Sequence, residues 1–338
     1  MKPRTRSASI LMTALGGLSI LGLTGCGAGV ASAQPPSSSA GSVTIENCGR
    51  TVVVPETPTA VVGLHPSQTE LLLRLGLADR LVGQAQATAQ ALPADVAALA
   101  ADVPVLGADS PPNREALLAV EPDFVYSPTT YEFTAEQGFA SIEQLQEAGV
   151  AAYVATGGCF ERRMEGTVDD LFIDLENLGT IFDVEDKAES LIDESKADLA
   201  VVDAAVEQVD DKLRVAQIYV DGTSLTAVGA GIEYDILRRA GAENVFSPED
   251  AAFGDFFAAE ITPESLAAES PDALVFAVTD PAHEAATRAY LTATFPDMPA
   301  VRDGRLIAIS TADTFPGTLG NISVVHQIAQ ALYPDAFA

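Results

Sequence analysis

Basic residues, histidine and tryptophan are scarce in this sequence of 338 residues. It has no Trp, three His, and 18 Lys and Arg against 48 Asp and Glu, which gives a formal net charge of −30. Nucleic-acid binding is excluded, because it needs clustered Lys and Arg that displace counterions from phosphates. A bare-metal site is disfavoured, since such sites combine several His with a carboxylate and only His65, His283 and His326 are available.

Catalytic signatures are missing as well. The sequence contains neither GxSxG nor HExxH, and its predicted fold brings no Ser, His and Asp together in a catalytic order. A hydrolase is the alternative from the enzyme class, and no motif supports it. We therefore predict that the protein is not an enzyme and that it needs no cofactor.

Long apolar runs are absent apart from one at the N-terminus. Three basic residues at the start are followed by an apolar run from about Ile10 to Leu23 and then by LTGC, which ends at Cys26. This order is typical of an export signal over residues 1–25, and the run is too short for a convincing membrane span. LTGC resembles the lipobox of bacterial lipoproteins, in which the Cys is acylated; a chance Cys in a plain secretory signal is the alternative.

Residues 26–42 form the predicted acylated Cys and a flexible linker. The segment is mostly Gly, Ala, Ser and Pro, too poor in large apolar side chains to fold. We expect a folded body that is lipid-anchored to the cell membrane on its extracytoplasmic face. Without the three basic residues of the signal, 15 basic and 48 acidic residues remain, a formal charge of −33 that favours solubility.

The other two cysteines are Cys48 and Cys159, which are 111 residues apart. In an oxidising compartment they are expected to form a disulfide. A free thiol or a metal ligand is the alternative, although no CxxC motif or Cys/His cluster supports a metal.

Short β-branched runs alternate with helical patterns on both sides of a strand-free segment. We predict an α/β fold with two lobes, Rossmann-like sandwiches that are joined by a single long helix beginning near Val184. The predicted divisions after the linker are an N-terminal lobe over 43–167, a helical segment over 168–211 that includes the long helix, and a C-terminal lobe over 212–338.

One unit occurs twice, as EALLAVEPDFVY at 115–126 and ESLAAESPDALVF at 264–276. In each copy a Glu comes seven residues before a Pro-Asp pair, and a short apolar run follows. Each copy is predicted to be a short helix that ends at Pro-Asp and leads into a buried strand. LRLGLADRLV at 73–82 and LRRAGAENVF at 237–246 form a second matching pair, so we expect the two lobes to be structurally related.

The order of these segments resembles the substrate-binding lipoproteins of ABC importers that capture ferric siderophores, haem or cobalamin. The resemblance covers nearly all of residues 43–338. It rests on six segments in the right order, with the long helix between the third and the fourth: AVVGLHPSQTELLLRLGLADRLVG, NREALLAVEPDFVY, GVAAYV, LTAVGAGIEYDILRRAGAENVF, ESLAAESPDALVF and AVRDGRLIAIS. It implies two lobes joined by one rigid helix, a ligand held in the cleft between them and little hinge motion. It also implies a monomer that delivers a metal chelate, a ferric siderophore above all, to a membrane permease.

The resemblance gives the repeated Glu a role. In the family, a Glu at this place in each lobe docks on an Arg pocket of one half of the dimeric permease, and the matching positions are Glu115 and Glu264. The alternative is that each Glu only interacts favourably with the dipole at its helix start.

Candidate ligand-binding residues follow the predicted strands, because ligand pockets between lobes are lined by such loops. They are His65, Ser67, Tyr131, Phe160, Arg162 and Arg163 in the first lobe, and Asp221, Thr223, Phe253, Phe256, Phe257 and Asp280 in the second. Arg162 and Arg163 are suited to the carboxylates or catecholates of a ferric chelate.

Each candidate has a simpler alternative. His65 could only form local hydrogen bonds, the three Phe could belong to the core, and the Arg pair could be solvated. Cobalamin, haem or a precursor of the deazaflavin cofactor are the alternative ligands. A lipoprotein that only senses a ligand or scaffolds a partner is the alternative function.

Overall fold

The structure, a computed structural model, describes residues 41–337. The predicted signal peptide, Cys26 and the linker up to residue 40 lie outside the described residues. The described part opens with a hairpin of β1 (Val43–Asn47) and β2 (Arg50–Val54). Its two-residue turn, Cys48 and Gly49, has positive φ at both positions, 52° and 66°, as a type I′ turn requires.

The first sheet is built from residues 61–154 and is parallel throughout. Its strands are β3 (Val61–Gly63), β4 (Leu81–Ala85), β5 (Val105–Gly107), β6 (Phe124–Ser127) and β7 (Ala151–Val154). The helices between them are α1 (Pro66–Arg74), α2 (Ala94–Ala97), α3 (Arg114–Leu118) and α4 (Ile142–Glu147). The spatial order is β5-β4-β3-β6-β7, so the sheet grows outward in both directions from its first strand, as in Rossmann-like folds.

The second sheet is built from residues 214–310 and is mixed. Its strands are β8 (Arg214–Asp221), β9 (Ser224–Val228), β10 (Glu243–Asn244), β11 (Ala258–Ile261), β12 (Ala273–Val278) and β13 (Leu306–Ser310). The order is β11-β9-β8-β12-β13, with β10 also paired to β8. The pairs β8/β9 and β9/β11 are antiparallel, and neither β9 nor β11 was predicted from the sequence.

Two α-helices lie between the two sheets along the chain, and five more lie among or after the strands of the second sheet. The segment between the sheets contains α5 (Asp170–Phe182) and α6 (Glu185–Val206), the long helix of 22 residues. The remaining helices are α7 (Gly231–Arg239), α8 (Pro263–Glu269), α9 (Pro281–Thr294), α10 (Pro299–Arg302) and α11 (Gly320–Leu332). The buried side chains of α6, such as Ile192 and Leu199, recur at helical spacing and belong to one hydrophobic core with residues of both sheets.

The repeated unit has the same structure in both lobes. In each copy the backbone N–H of the Asp donates to the residue at the start of a neighbouring strand, and the Asp side chain accepts from that residue in return. Asp123 makes this exchange with Ala60 (2.9 and 3.0 Å), and Asp272 makes it with Arg214 (2.7 and 3.0 Å). The Pro-Asp pair therefore ties the helix end to the start of the sheet in both lobes.

The second matching pair also has one structure. A Gly with positive φ comes two residues after the end of each helix, Gly76 (φ +82°) after α1 and Gly241 (φ +79°) after α7. Just after each Gly, an N–H donates back into the last helical turn, from Leu77 to Leu72 and from Ala242 to Leu237, both at 3.0 Å. This is the Schellman termination, which needs a residue with positive φ.

The disulfide predicted between Cys48 and Cys159 is confirmed. It joins the turn of the β1/β2 hairpin to the segment that follows β7. That segment, residues 156–166, leads from the first sheet to the candidate site.

Candidate functional site

A cavity of about 660 Å³ is lined by segments from both lobes. The first lobe contributes the loop after β6 and the segment after β7, and the second contributes the start of α7, the approach to β11 and the segment after β13. The lining residues are Gln86, Thr129, Thr130, Tyr131, Glu132, Thr134, Gly157, Gly158, Arg163, Ile232, Glu233, Phe256, Phe257, Thr311, Thr314, Phe315 and Pro316. Its size and aromatic content are typical of a small-molecule site.

Two glycines allow the backbone segments around the cavity to approach each other. A Cβ on Gly158 would lie 1.8 Å from the carbonyl oxygen of Pro128. Gly231, at the start of α7, has φ +72°, and a Cβ there would lie 2.5 Å from the carbonyl oxygen of Arg163. Larger residues would therefore push apart the segments that form the cavity wall.

Arg163 is held on an aromatic surface at the cavity. Its guanidinium carbon lies 4.2 Å from the ring centre of Phe160 and 5.2 Å from that of Phe256, both within cation–π range. The guanidinium also donates to the carbonyl oxygen of Asp255 at 3.0 Å. Phe257 adjoins Phe256 with ring centres 4.2 Å apart, and its carbonyl accepts from Gly229 and Ala230. The loop that bears both Phe is thus fixed to the start of α7.

Of the two adjacent Arg residues predicted to bind the ligand, Arg162 and Arg163, only Arg163 lines the cavity. Arg162 forms an ion pair with Asp170, whose carboxylate is only 2% exposed, through contacts of 2.5 to 3.0 Å. The same carboxylate accepts from the backbone N–H of Thr167. Arg162 therefore fixes the segment after the disulfide, and Arg163 is the member of the pair that lines the cavity.

His65 and Ser67 lie next to the cavity lining and are buried. The His65 ring stacks on Phe315 with ring centres 4.3 Å apart, and its Nδ1 lies 2.9 Å from the Ser67 hydroxyl. Burial lowers the pKa of His65 to about 4, so the ring is neutral at physiological pH. His65 supports the wall residue Phe315 and also caps α1, where Nδ1 accepts from the Ser67 N–H.

The other candidates are distributed between the cavity and places outside its lining. Tyr131, Phe256 and Phe257 line it together with Arg163, whereas Phe160 is 62% exposed and reaches it through its contact with Arg163. Phe253 is 1% exposed and packs on Phe246 in the core of the second lobe. Three more residues are outside the lining: Asp221 ends β8, Thr223 lies in the β8/β9 turn, and Asp280 caps α9.

Two carboxylates in the cavity lining were not predicted from the sequence. Glu132 is 5% exposed and accepts hydrogen bonds from Ser127, Thr129 and Gln86; burial raises its pKa. Glu233 comes from the first turn of α7 and accepts one from Gln217; burial raises its pKa to about 7. Glu132 is adjacent to Tyr131, which was predicted. For Glu233, the only feature of the sequence that could have indicated a role is its place just after Gly229 and Gly231, at the start of a helix.

Glu115 and Glu264 occupy the same position in two matching helices. Each is exposed, and each is the second residue of its helix, after Arg114 in α3 and after Pro263 in α8. In both helices a capping side chain accepts from the third N–H, Asn113 from Ala116 and Thr262 from Ser265. This geometry fits permease docking and also fits the helix-dipole interpretation.

No helix within residues 41–337 is both long and apolar enough to cross a membrane. In the same residues, the one grouping with metal-ligand spacing is Cys48, Cys159 and Glu161, and its two sulfurs are bonded to each other. His65, His283 and His326 have different surroundings: His283 contacts the carbonyl of Val220, and His326 packs on Phe337.

Sequence and structure comparisons both match this chain to transport-related binding proteins. An uncharacterized ABC transporter substrate-binding lipoprotein of Bacillus subtilis (strain 168) is 23% identical over 299 residues, which is 87% of each chain. A periplasmic binding protein from Veillonella parvula has a structure similar to this one, with a TM-score of 0.75 and 21% identity over 87% of this chain and 98% of that one. An ABC-type Fe³⁺-hydroxamate transport system structure from Saccharomonospora viridis has a TM-score of 0.68 and 25% identity over 86% and 98%.

These likenesses confirm the predicted α/β fold class. The family model described as "Periplasmic binding protein" matches residues 61–312, about three quarters of the chain. The chain therefore belongs to the periplasmic binding protein family, and its predicted resemblance to the substrate-binding proteins of ABC importers is confirmed at the level of the family.

Proposed function

We propose that this protein is the extracytoplasmic substrate-binding lipoprotein of an ABC importer and that it captures a ferric siderophore. The observation that supports this most directly is the cavity of about 660 Å³ between the lobes, with Tyr131, Phe256 and Phe257 in its wall and Arg163 as its cation. Aromatic walls with few polar groups suit a bulky chelate whose exterior is largely organic. The likeness to the Saccharomonospora viridis structure at 25% identity favours a hydroxamate chelate.

The rest of the transport cycle follows from the sequence features. Acylation at Cys26 would hold the protein at the membrane, and residues 27–42 would let the body reach the permease. Glu115 and Glu264 would each dock on one permease subunit. Helix α6 would keep the lobes at a nearly fixed separation, so the ligand would be recognised without large closure.

Ligand binding is tested by titrating the exported protein with a panel of ferric hydroxamates, ferric catecholates, haemin and cobalamin. The chain has seven Tyr and no Trp, so Tyr131 in the cavity wall makes tyrosine emission a direct reporter. We expect saturable quenching by a ferric chelate. Tyr131→Phe should remove much of that quenching, and Tyr290→Phe, outside the cavity lining, should retain it.

The outcomes separate the alternatives. Saturable binding of haemin or cobalamin without any ferric siderophore would replace the proposed ligand but keep the transport role. A chain that binds a chelate but supports no uptake of it in the parent cell would instead be a sensor or scaffold.

A further inference from the structure

The two wall carboxylates differ in how many donors they have. The Glu132 carboxylate accepts from three side chains, Ser127 (3.1 Å), Thr129 (2.6 Å) and Gln86 (3.5 Å), so it is occupied within its own lobe. Glu233 accepts from one side chain, the Gln217 amide on β8, through its Oε2. Between residues 41 and 337 no basic side chain forms an ion pair with Glu233. Its Oε1 is therefore available to a ligand.

Burial raises the free energy of an ionised carboxylate that has no counter-cation. The cavity removes water from Glu233 without supplying a counter-cation, and the pKa of about 7 has this desolvation as its main cause. The other charged groups in the cavity lining are Glu132 and Arg163. Arg163 is already held by two aromatic rings and the Asp255 carbonyl. The lining thus has one more acidic group than basic groups.

We propose that Glu233 binds a protonated amine on the ligand, and that the preferred ligand is therefore a chelate with a neutral metal centre and a cationic tail. This inference rests on the proposed function and narrows it to one chemical class. A ferric trihydroxamate has a neutral centre because three monoanionic groups balance Fe³⁺, whereas a ferric tris-catecholate has three net negative charges. A trianion would face two carboxylates and a single Arg, which disfavours it in an enclosed site.

The test compares two chelates that differ in one charge. Ferrioxamine B is a ferric trihydroxamate with a terminal ammonium, and its N-acetyl derivative lacks that charge. We expect wild-type protein to bind ferrioxamine B about tenfold or more tightly than the derivative, since a desolvated charge pair contributes strongly to affinity. Glu233→Gln should remove this preference by weakening ferrioxamine B alone. Glu243→Gln, an exposed change in the same lobe, should leave both affinities unchanged.

A pH series on the wild-type protein tests the same inference without any substitution. A bound ammonium stabilises the carboxylate form of Glu233, so ferrioxamine B should bind well above pH 7 and lose affinity as the pH falls through 7. The N-acetyl derivative, which has no amine to pair with Glu233, should show a much smaller change over the same range.

Equal affinity for the two chelates, or tighter binding of a ferric tris-catecholate, would overturn the role of Glu233 and leave the proposed function intact. A flat pH series for ferrioxamine B would also overturn it. If none of the three ferric chelates binds, the proposed function itself fails and this inference fails with it.

Discussion

The two lobes share their helix–Pro-Asp–strand unit but differ in the parts that form the ligand cavity. Both copies present an exposed Glu at the second position of a capped helix and tie an Asp to the start of a neighbouring strand. The second lobe adds the antiparallel strands β9 and β11. Glu233 follows β9, and Phe256 and Phe257 precede β11. The repeated unit thus has the same structure in both lobes, whereas β9 and β11, which the first lobe lacks, position the residues that the second lobe contributes to the cavity.

The largest expected effect is loss of uptake when the shared Glu is reversed in both lobes. Glu115→Lys with Glu264→Lys should abolish transport, because like charges placed together across an interface cost several kcal/mol. Both residues are exposed and outside the cavity lining, so ligand affinity should not change and unfolding should shift by only about 0.5 kcal/mol, plus a small loss at the helix dipole. The measurement is uptake of labelled chelate alongside binding in vitro.

Single reversals should give intermediate uptake if each lobe addresses one permease subunit. Glu136→Lys, an exposed reversal in the first lobe, is the matched control and should transport normally. Normal import by the double variant would leave helix capping and common origin as the only reasons for the repeat.

The next largest effect concerns the disulfide, which is present in the first lobe alone. Replacing Cys48 and Cys159 by Ala should lower the free energy of unfolding by about 2–5 kcal/mol, because the bond closes a loop of 111 residues. The measurement is denaturant unfolding, compared with that of the wild type.

Thiol counting is the companion measurement. A denatured Cys26→Ser variant that is otherwise intact should show no titratable thiol. Two thiols in that sample would contradict the pairing in the exported protein.

A smaller effect should distinguish the two Asp side chains of the repeat. Within residues 41–337, the Asp123 carboxylate accepts from the Thr59 N–H, the Thr59 hydroxyl and the Ala60 N–H, whereas the Asp272 carboxylate accepts from the Arg214 N–H only. Asp123→Ala should therefore lower the free energy of unfolding by about 1–3 kcal/mol. Asp272→Ala should lower it by less, because fewer donors lose their acceptor. Chemical denaturation of both variants gives the comparison, and a larger loss for Asp272→Ala would contradict it.

The smallest expected effect is a change in shape on ligand binding. Helix α6 packs into a core shared by residues of both sheets, so separating or rotating the lobes would expose buried side chains such as Leu199. Solution scattering with and without saturating ligand should nearly superimpose. A large fall in radius of gyration would reject α6 as a rigid connector.

Sequence patterns predicted most of the strands and helices, because alternation and helical spacing depend on local burial. They failed at β9 and β11, since SLTAV and AAEI are short and are stabilised by pairing with each other rather than by a strong pattern of their own. The helix over Glu185–Val206 was predicted because its apolar spacing persists over many turns. The Cys48–Cys159 pair was predictable because the predicted acylation of Cys26 leaves no other partner for either thiol.

The α/β class, the long helix, the disulfide and the repeated Glu could all be predicted from the residues alone, because each depends on local spacing, residue type or cysteine count. Which of the candidate residues share a cavity depends instead on how distant segments pack. Arg162 and Arg163 are adjacent in sequence, yet one pairs with buried Asp170 and the other lines the cavity. Glu132 and Glu233 are about a hundred residues apart and line the same cavity. Donors, burial and neighbouring charge set the chemistry of such groups, and these arise only when distant segments pack together.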